Sequence, residues 1–389
     1  MNVQHILSLL PDKLLIELAE QTNVNRYSKK LQGELIFKLL LHCILSYKDN
    51  SLRTMQSAYE SMAFNLLNAG KNKQQIRYSS ISERLSSIRP EYFEKIYTVC
   101  LKVYGDVLSN QAPTLFRFDS TIIALSAKLL KVGYCLPRGD ASHMRQLKFT
   151  MGFSELPVIA HLYTQQQYTS ENAALKETIL SYQPDNTSAI RIFDRGITSR
   201  KTHDRLTEKK IPFISRINAD SKLEPHTINQ LPAPIETKTL LIYSDRWVYL
   251  FSEGTRKARY PIRCISATQQ ASKEEIKFVS NVHDLSATEI AHLYKQRWDI
   301  EVFFKFLKQE LNFTHLINRS ENGIRVMLYV TLIAATLLLV YKKQNNLTGY
   351  KIMKQQFLHE LEKSIVKNIV IMCGGNPKLA DKYLHFDSS

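Results

Sequence analysis

The sequence predicts an α/β protein in which helices precede and follow a core that contains strands. Three observations predict it. Apolar residues recur at helical spacing through residues 1–105. Short β-rich runs alternate with helical runs over residues 106–217, and residues 218–273 hold short alternating strands without a helical period, which predicts an all-β insertion. Helical periodicity returns in the second part of the core, residues 274–345, and continues in a basic tail, residues 346–389.

The N-terminal helices carry a cluster of positive charge. The segment YSSISERLSSIRPEYFEKIY predicts two helices separated at Pro90, with Ser79, Ser80 or Ser82 capping the first and Glu83 completing a Ser-x-x-Glu box from Ser80. The basic residues of this region are Lys71, Lys73, Arg77, Arg84 and Arg89. Two interpretations stay open, a DNA-binding helical module and a plain helical bundle with a solvated basic face.

The core shows an order of strands and helices. Strands are predicted over residues 114–125, 147–153, 156–164, 188–193 and 212–217, with helices over Ser170–Tyr182 and Ser199–Lys210. In the β-rich insertion, residues 237–244, 246–252 and 260–268 are the clearest strands, and residues 275–282 form one more. The next helix begins after Ser286, with Glu289 at the capping-box position.

Composition limits the class of protein. The 389 residues are 44% hydrophobic, which supports sizeable cores, and the formal net charge of +16 favours a polyanionic partner. Nucleic acid is the commonest such partner, although a membrane surface or solubility alone also explains the charge. The five cysteines are far apart and form no C-x-x-C pair, so neither a zinc site nor a disulfide framework is indicated. A reducing cytoplasm is expected, and the N-terminus does not resemble a signal peptide.

One apolar run raises the question of a membrane span. Residues 326–341, VMLYVTLIAATLLLVY, are shorter than the roughly 18 residues that a spanning helix needs. Thr331 and Thr336 make the run less apolar. We therefore expect a helix buried in a large domain and no membrane partner.

Two aspartates follow apolar strand residues. Asp119 lies in FRFDST and Asp194 in RIFDRG. If these strands are neighbours, the two carboxylates lie side by side at the sheet edge, where their repulsion requires a cation. Carboxylate oxygens suit Mg²⁺ or Mn²⁺. For either residue alone, the simpler interpretation is an aspartate that caps a turn at the end of a strand.

The segment YKQRWDIEVFFKFLKQEL, residues 294–311, predicts a helix with one polar and one packed face. On such a helix, Arg297 and Glu301 project about 40° apart, and Lys308 and Tyr294 fall on the same side. The bulky apolar residues occupy another sector, which suits packing on a sheet. The alternative is an ordinary surface ion pair between Arg297 and Glu301.

These motifs together resemble a known family. Tyr294-x2-Arg297-x3-Glu301-x6-Lys308 matches the Y-R-E-K signature of bacterial insertion-sequence transposases of the DDE type, specifically insertion-sequence family four, the relatives of cut-and-paste transposases. Asp119-Ser120-Thr121 and Asp194-Arg195-Gly196 resemble the two aspartate blocks, and Arg216 lies in a following FISR segment. The resemblance covers roughly residues 112–345. Ile197 stands where the family usually has an aromatic residue, and Leu147-Lys148-Phe149 lacks the usual histidine.

The resemblance implies a ribonuclease-H-like catalytic core with a metal centre. Asp119, Asp194 and Glu301 would be both the catalytic residues and the ligands of two Mg²⁺ ions, which Mn²⁺ could replace. The enzyme would cleave DNA at inverted terminal repeats and transfer the strand to a target, through a DNA hairpin. Implied DNA contacts are Tyr294, Arg297, Trp298, Lys305, Lys308, Arg195 and Arg216.

The resemblance also implies partners and a location. Double-stranded DNA, as element ends and target, would be bound by a homodimer at the bacterial nucleoid in the cytoplasm. Residues 1–105 would bind DNA, and residues 346–389 would contribute to dimerisation. Trp298 could stack on a displaced base or be a core aromatic, and for Trp247 packing within a strand is the favoured role. Two other functions stay open, a ribonuclease-H-like DNA endonuclease without strand transfer and a non-catalytic DNA-binding regulator derived from a transposase.

Overall fold

The computed structural model describes residues 2–68, 75–108, 114–125, 133–135, 145–228, 233–251 and 257–384. Lys71 and Lys73 of the predicted basic cluster lie outside these ranges. The chain divides into two units: residues 1–110, 125–132 and 305–389 form the first, and residues 111–124 and 133–304 form the second. The predicted boundaries of functional domains stay predictions.

Helices make up the N-terminal part of the first unit, as the periodicity predicts. They are α1 Val3–Ser8, α2 Asp12–Thr22, α3 Gly33–Ser46, α4 Leu52–Glu60, α5 Met62–Leu67, α6 Tyr78–Ser87 and α7 Pro90–Leu108. Pro90 stands at the first position of α7, where its missing N–H costs no hydrogen bond. The predicted serine cap of α6 is wrong. The helix begins at Tyr78, and Arg77 occupies the capping position without a side-chain hydrogen bond, so the three serines lie inside the helix.

The second unit contains a large mixed sheet. Its first strands are β1 Leu115–Leu125, β2 Tyr134–Cys135, β3 Arg145–Phe153, β4 Pro157–Tyr163, β5 Ile190–Phe193 and β6 Phe213–Ile217. Helix α8, Glu171–Ser181, lies between β4 and β5 in the chain, and α9, Arg200–Glu208, between β5 and β6. Strand β1 pairs with β5 in parallel, and β5 pairs with β6 in parallel. The predicted strands and helices of residues 114–217 are confirmed.

Four strands occupy the described part of the β-rich segment: β7 Leu223–Ile228, β8 Ile235–Glu236, β9 Leu240–Leu250 and β10 Ile262–Gln269. Strand β11, Glu275–Ser280, joins β10 to β6, so the sheet order is β2-β3-β1-β5-β6-β11-β10-β9-β7. The two strands predicted at residues 237–244 and 246–252 are one strand, β9, because Leu240–Leu250 pairs with β10 along its length. An irregularity in that pairing at Ser266 and Ala267 accommodates the longer strand.

Both faces of the sheet are buried, which explains why its central strands are nearly continuous apolar runs. Phe118, Phe193 and Phe213 point into one hydrophobic cluster, which also contains Leu175 of α8 and Leu206 of α9. The alternate residues Leu115, Ile192 and Ile214 belong to a second cluster with Ile290 and Tyr294. This second cluster includes α10, Ala287–Lys295, whose predicted capping box from Ser286 to Glu289 is confirmed. The helices therefore fix the central strands from both sides.

The remaining helices are α11 Trp298–Glu310, α12 Glu321–Gln344, α13 Tyr350–Met372 and α14 Pro377–Leu384. Helix α12 is the one described helix that is long and apolar enough to cross a membrane, but 89% of its most apolar window is buried within the protein. It packs against α7 and α3 of the same unit. Thr331 and Thr336 satisfy their buried hydroxyls by donating to carbonyls one turn back, at 2.8 and 2.9 Å. The prediction of a buried helix is confirmed.

Candidate active site

Asp119 and Asp194 lie on neighbouring parallel strands. The register of β1 and β5 places Phe118 opposite Phe193, so the next residue on each chain is an aspartate. The prediction that Asp119 lies at the end of its strand is wrong. Asp119 lies midway along β1, which continues to Leu125, whereas the partner strand β5 ends at Phe193. The two aspartates still occupy neighbouring positions, directly after the last paired residues Phe118 and Phe193. The sequence pattern therefore predicted their proximity correctly and the extent of β1 incorrectly.

The predicted single helix over residues 294–311 is two helices with a short turn between them. Helix α10 ends at Lys295 and α11 begins at Trp298. The amides of Gln296, Arg297 and Asp299 each donate to a carbonyl three residues back, so the turn is tighter than an α-helix. Arg297 is the last residue of this turn, and its side chain can reach the sheet edge.

Arg117 holds this turn against β1. Its Nε donates to the carbonyl of Gln296 at 2.8 Å and its Nη2 to Oε1 of the same residue at 2.9 Å. The same guanidinium forms an ion pair with Asp299, at 3.0 Å. Since Arg117 is two residues before Asp119, these contacts place Arg297 beside the aspartate.

Arg297 bridges two of the predicted catalytic acids. Its Nη2 lies 2.6 Å from Oε1 of Glu301, and its Nη1 lies 3.9 Å from Oδ2 of Asp119. The side chains of Arg297 and Asp119 are 14% and 15% exposed, which rules out an ordinary surface pair. The charge of Arg297 also interacts with that of Asp194. One guanidinium thus serves as the shared counter-ion of three carboxylates.

Tyr294 lies on the other side of this cluster. Its hydroxyl donates to Oδ1 of Asp194 at 3.4 Å, and its ring packs on Phe278 with centroids 5.3 Å apart. Burial raises the pKa of Tyr294 to about 12, so the phenol keeps its proton and remains a donor. The arginine and the tyrosine of the Y-R-E-K motif both point at the aspartates.

Asp119 has an unusual affinity for protons. Burial raises the pKa of its carboxyl to about 7, and the negative charges of Glu171 and Glu301 also raise it. The backbone amide of Ser120, which donates to Oδ1 at 2.7 Å, and the charge of Arg297 oppose this shift. A buried carboxyl with several acidic neighbours is where a cation binds most favourably.

Glu171, which no sequence motif indicated, belongs to the same cluster. It is the first residue of α8, and its Oε1 accepts a hydrogen bond from the hydroxyl of Ser120 at 2.7 Å. A methyl group at Gly196 would lie 1.6 Å from its Oε2, so the carboxylate fills the space that this glycine leaves open. Glu171 therefore touches both aspartate blocks.

The geometry and the motifs agree with the comparison to known proteins. A profile of the family described as Transposase DDE domain matches residues 117–337, more than half of the chain. The chain belongs to the DDE transposase family. The predicted resemblance to insertion-sequence transposases of the DDE type is thereby confirmed.

Three relatives agree with the assignment of this DDE transposase. It is 26% identical over 238 residues to a protein of Synechocystis named as a transposase for insertion sequence element IS4SA, covering 58% of this chain and 59% of the relative. It is 30% identical over 172 residues to one of Geobacillus stearothermophilus named for IS5377, covering 43% and 44%. It is 28% identical over 160 residues to transposase y4zB of Sinorhizobium fredii, covering 41% and 44%. The chain thus spans about half the length of the curated relatives it matches.

The other predicted DNA-contacting residues of this transposase differ in exposure. Arg195, Lys305 and Lys308 are exposed, and Trp298 is 60% exposed, so it is not a core aromatic. Arg216 is half-buried, lies 3.7 Å from Glu274, and its charge acts on Tyr294. Trp247 is half-buried and stacks on His283 with ring centroids 4.4 Å apart, in agreement with the packing role that was favoured.

The donor chemistry of the transposase site fits a divalent metal ion. All its acidic side chains offer carboxylate oxygens, the type that Mg²⁺ and Mn²⁺ prefer. A stand-in cation, the guanidinium of Arg297, already lies between Asp119 and Glu301. In the described ranges, no three His, Cys, Asp or Glu side chains converge closely enough to hold one ion. A metal held by all three acids therefore requires their side chains to rearrange.

Proposed function

We propose that this DDE transposase cleaves DNA at the inverted terminal repeats of an insertion sequence and transfers the cleaved strand to a target. The observation that supports it is the adjacency of Asp119 and Asp194 on parallel strands, with Glu301 linked to Asp119 through Arg297. Three acids from three separate elements share one cation at one sheet edge. Such a site suits catalysis on phosphodiesters, whose reaction builds negative charge that a cation must neutralise.

Asp119, Asp194 and Glu301 would hold two Mg²⁺ ions, and Mn²⁺ would substitute. The DDE family generally uses a divalent metal. When bound, such ions activate a water or a DNA 3′-hydroxyl and stabilise the leaving oxygen. The raised pKa of Asp119 means that this carboxyl binds a proton near neutral pH and gives it up when a cation arrives. The mixed sheet with α8 and α9 on one face is consistent with the ribonuclease-H-like core that we assign to this catalytic unit.

Arg297 and Tyr294 would orient the DNA backbone. Both are hydrogen-bond donors with buried stems and polar ends aimed at the acids. The Nε of Arg297 is buried and has no hydrogen-bond partner in the described part of the chain. An incoming phosphate offers the acceptor that this group lacks, and guanidinium–phosphate hydrogen bonds are charge-assisted. Arg297 would thus exchange a carboxylate for a phosphate when DNA binds.

The exposed side chains would contact DNA further from the scissile bond. Lys305, Lys308 and Arg195 carry exposed positive charge, and Arg216 is a second-rank candidate. Trp298 offers an exposed aromatic face on which a displaced base can stack. We assign the chain to insertion-sequence family four because of its Y-R-E-K motif, and we infer a cut-and-paste route through a DNA hairpin. We also infer that the protein acts as a homodimer on paired element ends. Residues 1–105 would bind DNA.

The proposal is tested with purified protein and DNA that carries the ends of the element, found in the flanking genome. Mg²⁺-dependent cleavage followed by joining of a pre-cleaved end to a target plasmid is the expected result. Asp119→Asn, Asp194→Asn and Glu301→Gln should each abolish cleavage and leave end binding intact, while Asp220→Asn, at an exposed site, should behave as wild type.

The outcomes separate the other functions. Cleavage without joining would identify an endonuclease that lacks strand transfer. End binding without any cleavage, in Mg²⁺ and in Mn²⁺, would identify a non-catalytic regulator. Cleavage that persists in Glu301→Gln would contradict the assignment of the third acid.

A further inference from the structure

Glu171 is tied to the aspartates by contacts on both sides. Its Oε1 accepts the hydroxyl hydrogen of Ser120, the residue after Asp119, and its Oε2 lies over Gly196, two residues after Asp194. The side chain is half-buried, whereas Glu177 on the same helix is exposed. The position of the carboxylate is therefore fixed by its neighbours.

The start of α8 is also fixed to the chain that follows Asp194. Asn172 donates from Nδ2 to the hydroxyl of Thr198 at 2.7 Å, and its Oδ1 accepts from the amide of Ser199 at 2.9 Å. These two bonds hold the helix against the Asp-Arg-Gly turn. Because Glu171 is the adjacent residue, these bonds fix its backbone beside the aspartates, and the bond from Ser120 then orients its carboxylate.

A buried lysine faces this carboxylate. Lys148 on β3 is only 4% exposed, and its charge interacts with that of Glu171. Burial lowers the pKa of the Lys148 ammonium, and the charge of Glu171 opposes that shift. The negative charge of Glu171 therefore favours the protonated form of this lysine.

We propose that Glu171 is a positioning residue of the cation-binding centre, and that Lys148 tunes it. Glu171 holds the Asp119 block through Ser120 and adds a fourth negative charge, which Lys148 partly neutralises. This inference rests on the proposed function, because the cation is the metal of the transposase site. Residues that orient metal ligands commonly change metal affinity by roughly 10- to 100-fold when replaced.

The two residues should therefore shift cation affinity in opposite directions. Glu171→Gln keeps the volume and an acceptor oxygen for Ser120 but removes the charge, so it should weaken cation binding. Lys148→Met removes the neutralising charge, so it should strengthen cation binding. A residue with only a structural role would change the melting temperature and leave cation affinity unchanged.

The test is Mn²⁺ binding to the full-length protein, measured from the electron paramagnetic resonance signal of free Mn²⁺, together with Mg²⁺ titration of end cleavage. Glu171→Gln should weaken Mn²⁺ binding about 10-fold and raise the Mg²⁺ concentration for half-maximal cleavage by a similar factor. Excess Mg²⁺ should restore most of the cleavage rate. Glu177→Gln, which removes the same charge from the same helix, should match wild type.

Each outcome decides the question. Equal Mn²⁺ affinity in Glu171→Gln and Glu177→Gln would overturn the inference. If Glu171→Gln fails to fold, Lys148→Met decides, since affinity that is not tighter than wild type overturns the inference too. Asp119→Asn separates this inference from the proposed function. If Asp119→Asn leaves Mn²⁺ binding unchanged, the proposed metal site is wrong. If Asp119→Asn weakens Mn²⁺ binding and Glu171→Gln does not, the metal site stands and only the role of Glu171 is excluded.

Discussion

Arg297 and Glu301 form an ion pair with 2.6 Å between Nη2 and Oε1, one helical turn apart. The arginine side chain is 14% exposed and the glutamate 31%, so solvent screens the pair less than a surface one. Asp119 lies on the other side of the same guanidinium. In the DNA-free protein, Arg297 therefore competes with any divalent cation for these carboxylates.

Arg297→Gln should separate metal binding from DNA binding. Removing the competing charge should tighten Mn²⁺ binding to the free protein. The same change should weaken binding of cleaved end DNA by about 1–3 kcal/mol, because a charge-assisted phosphate contact is lost. Titration of Mn²⁺ and of labelled end DNA measures the two effects. Arg325→Gln, which breaks a similar i,i+4 pair with Glu321, is the control and should change neither. Weaker Mn²⁺ binding in Arg297→Gln would contradict the competition.

The sequence could predict much of this site because the residues that form it stand in recognisable local patterns. Asp119 and Asp194 each follow a run of apolar strand residues, and the parallel pairing of β1 with β5 brings them to neighbouring positions. Glu301 was identified by its spacing from Tyr294 and Arg297. The helix does not continue through Gln296 and Arg297. The tight turn nevertheless keeps the Arg297 side chain within reach of Glu301, so the spacing of the motif still predicts their contact.

The features that the sequence did not predict depend on contacts between residues that are distant in the chain. Arg117 positions the turn by bonding to Gln296, about 180 residues later, and no periodicity reports such a bond. Glu171 reaches Ser120 from the start of α8, a helix in which no sequence motif was found. The serine cap of α6 failed because capping preferences are weak where tertiary packing sets the first turn.

Asp119→Asn should stabilise the protein at neutral and alkaline pH. The pKa of this carboxyl is about 7 when folded and 3.8 when exposed, so the folded state binds the proton more tightly. Its contribution to stability is present below pH 3.8 and is lost as the pH rises through 7. The stability gained by the asparagine variant should therefore grow between pH 4 and 7, to a few kcal/mol at most, and then level off. Urea unfolding in the presence of EDTA measures it. A gain that is the same at pH 4.5 and pH 8 would show that the charge is not the cause.

His203 should make the protein sensitive to acid. Its ring packs against Phe193 and Phe213 and is 1% exposed, and neither ring nitrogen has a hydrogen-bond partner among the described residues. Burial, together with a smaller effect from the charge of Arg200, lowers its pKa from 6.5 to about 3. The neutral ring therefore contributes stability above pH 6.5, and this is lost as the pH falls toward 3. We expect a loss of up to about 1.4 kcal/mol per pH unit in that window.

His203→Leu should remove this slope, because leucine cannot bind the proton. Urea unfolding of both proteins at several pH values between 4.5 and 7.5 measures it. His226→Leu, on an exposed strand residue, provides the matched control and should retain the slope. Parallel pH profiles for wild type and His203→Leu would exclude the histidine as the acid sensor.

Trp298→Ala should affect DNA and spare stability. The ring is 60% exposed, so its truncation removes little buried area, whereas base stacking on an aromatic ring is worth about 1–3 kcal/mol. Fluorescence of 2-aminopurine placed near the cleavage site reports the unstacked base, and Trp298→Phe should keep most of the signal. Trp247→Ala is the contrast: it removes the stack on His283, so it should lower the melting temperature and leave the fluorescence unchanged. If Trp298→Ala also leaves the fluorescence unchanged, the ring does not hold a base.

Lys305 and Lys308 should contribute to DNA binding through charge alone. Both are exposed on α11, and neither forms an ion pair with a described residue. Each lysine that contacts a phosphate releases a counter-ion, so its loss should reduce the slope of log K against log salt by about 0.9. We expect Lys308→Gln to show this reduction at every DNA sequence tested and Lys305→Gln to show a smaller one. Lys238→Gln, also exposed but in the β-rich segment, controls for the change in net charge. Fluorescence anisotropy between roughly 50 and 300 mM salt gives the slopes. A Lys308→Gln slope equal to that of Lys238→Gln would mean that the lysine of the Y-R-E-K motif does not contact the DNA backbone.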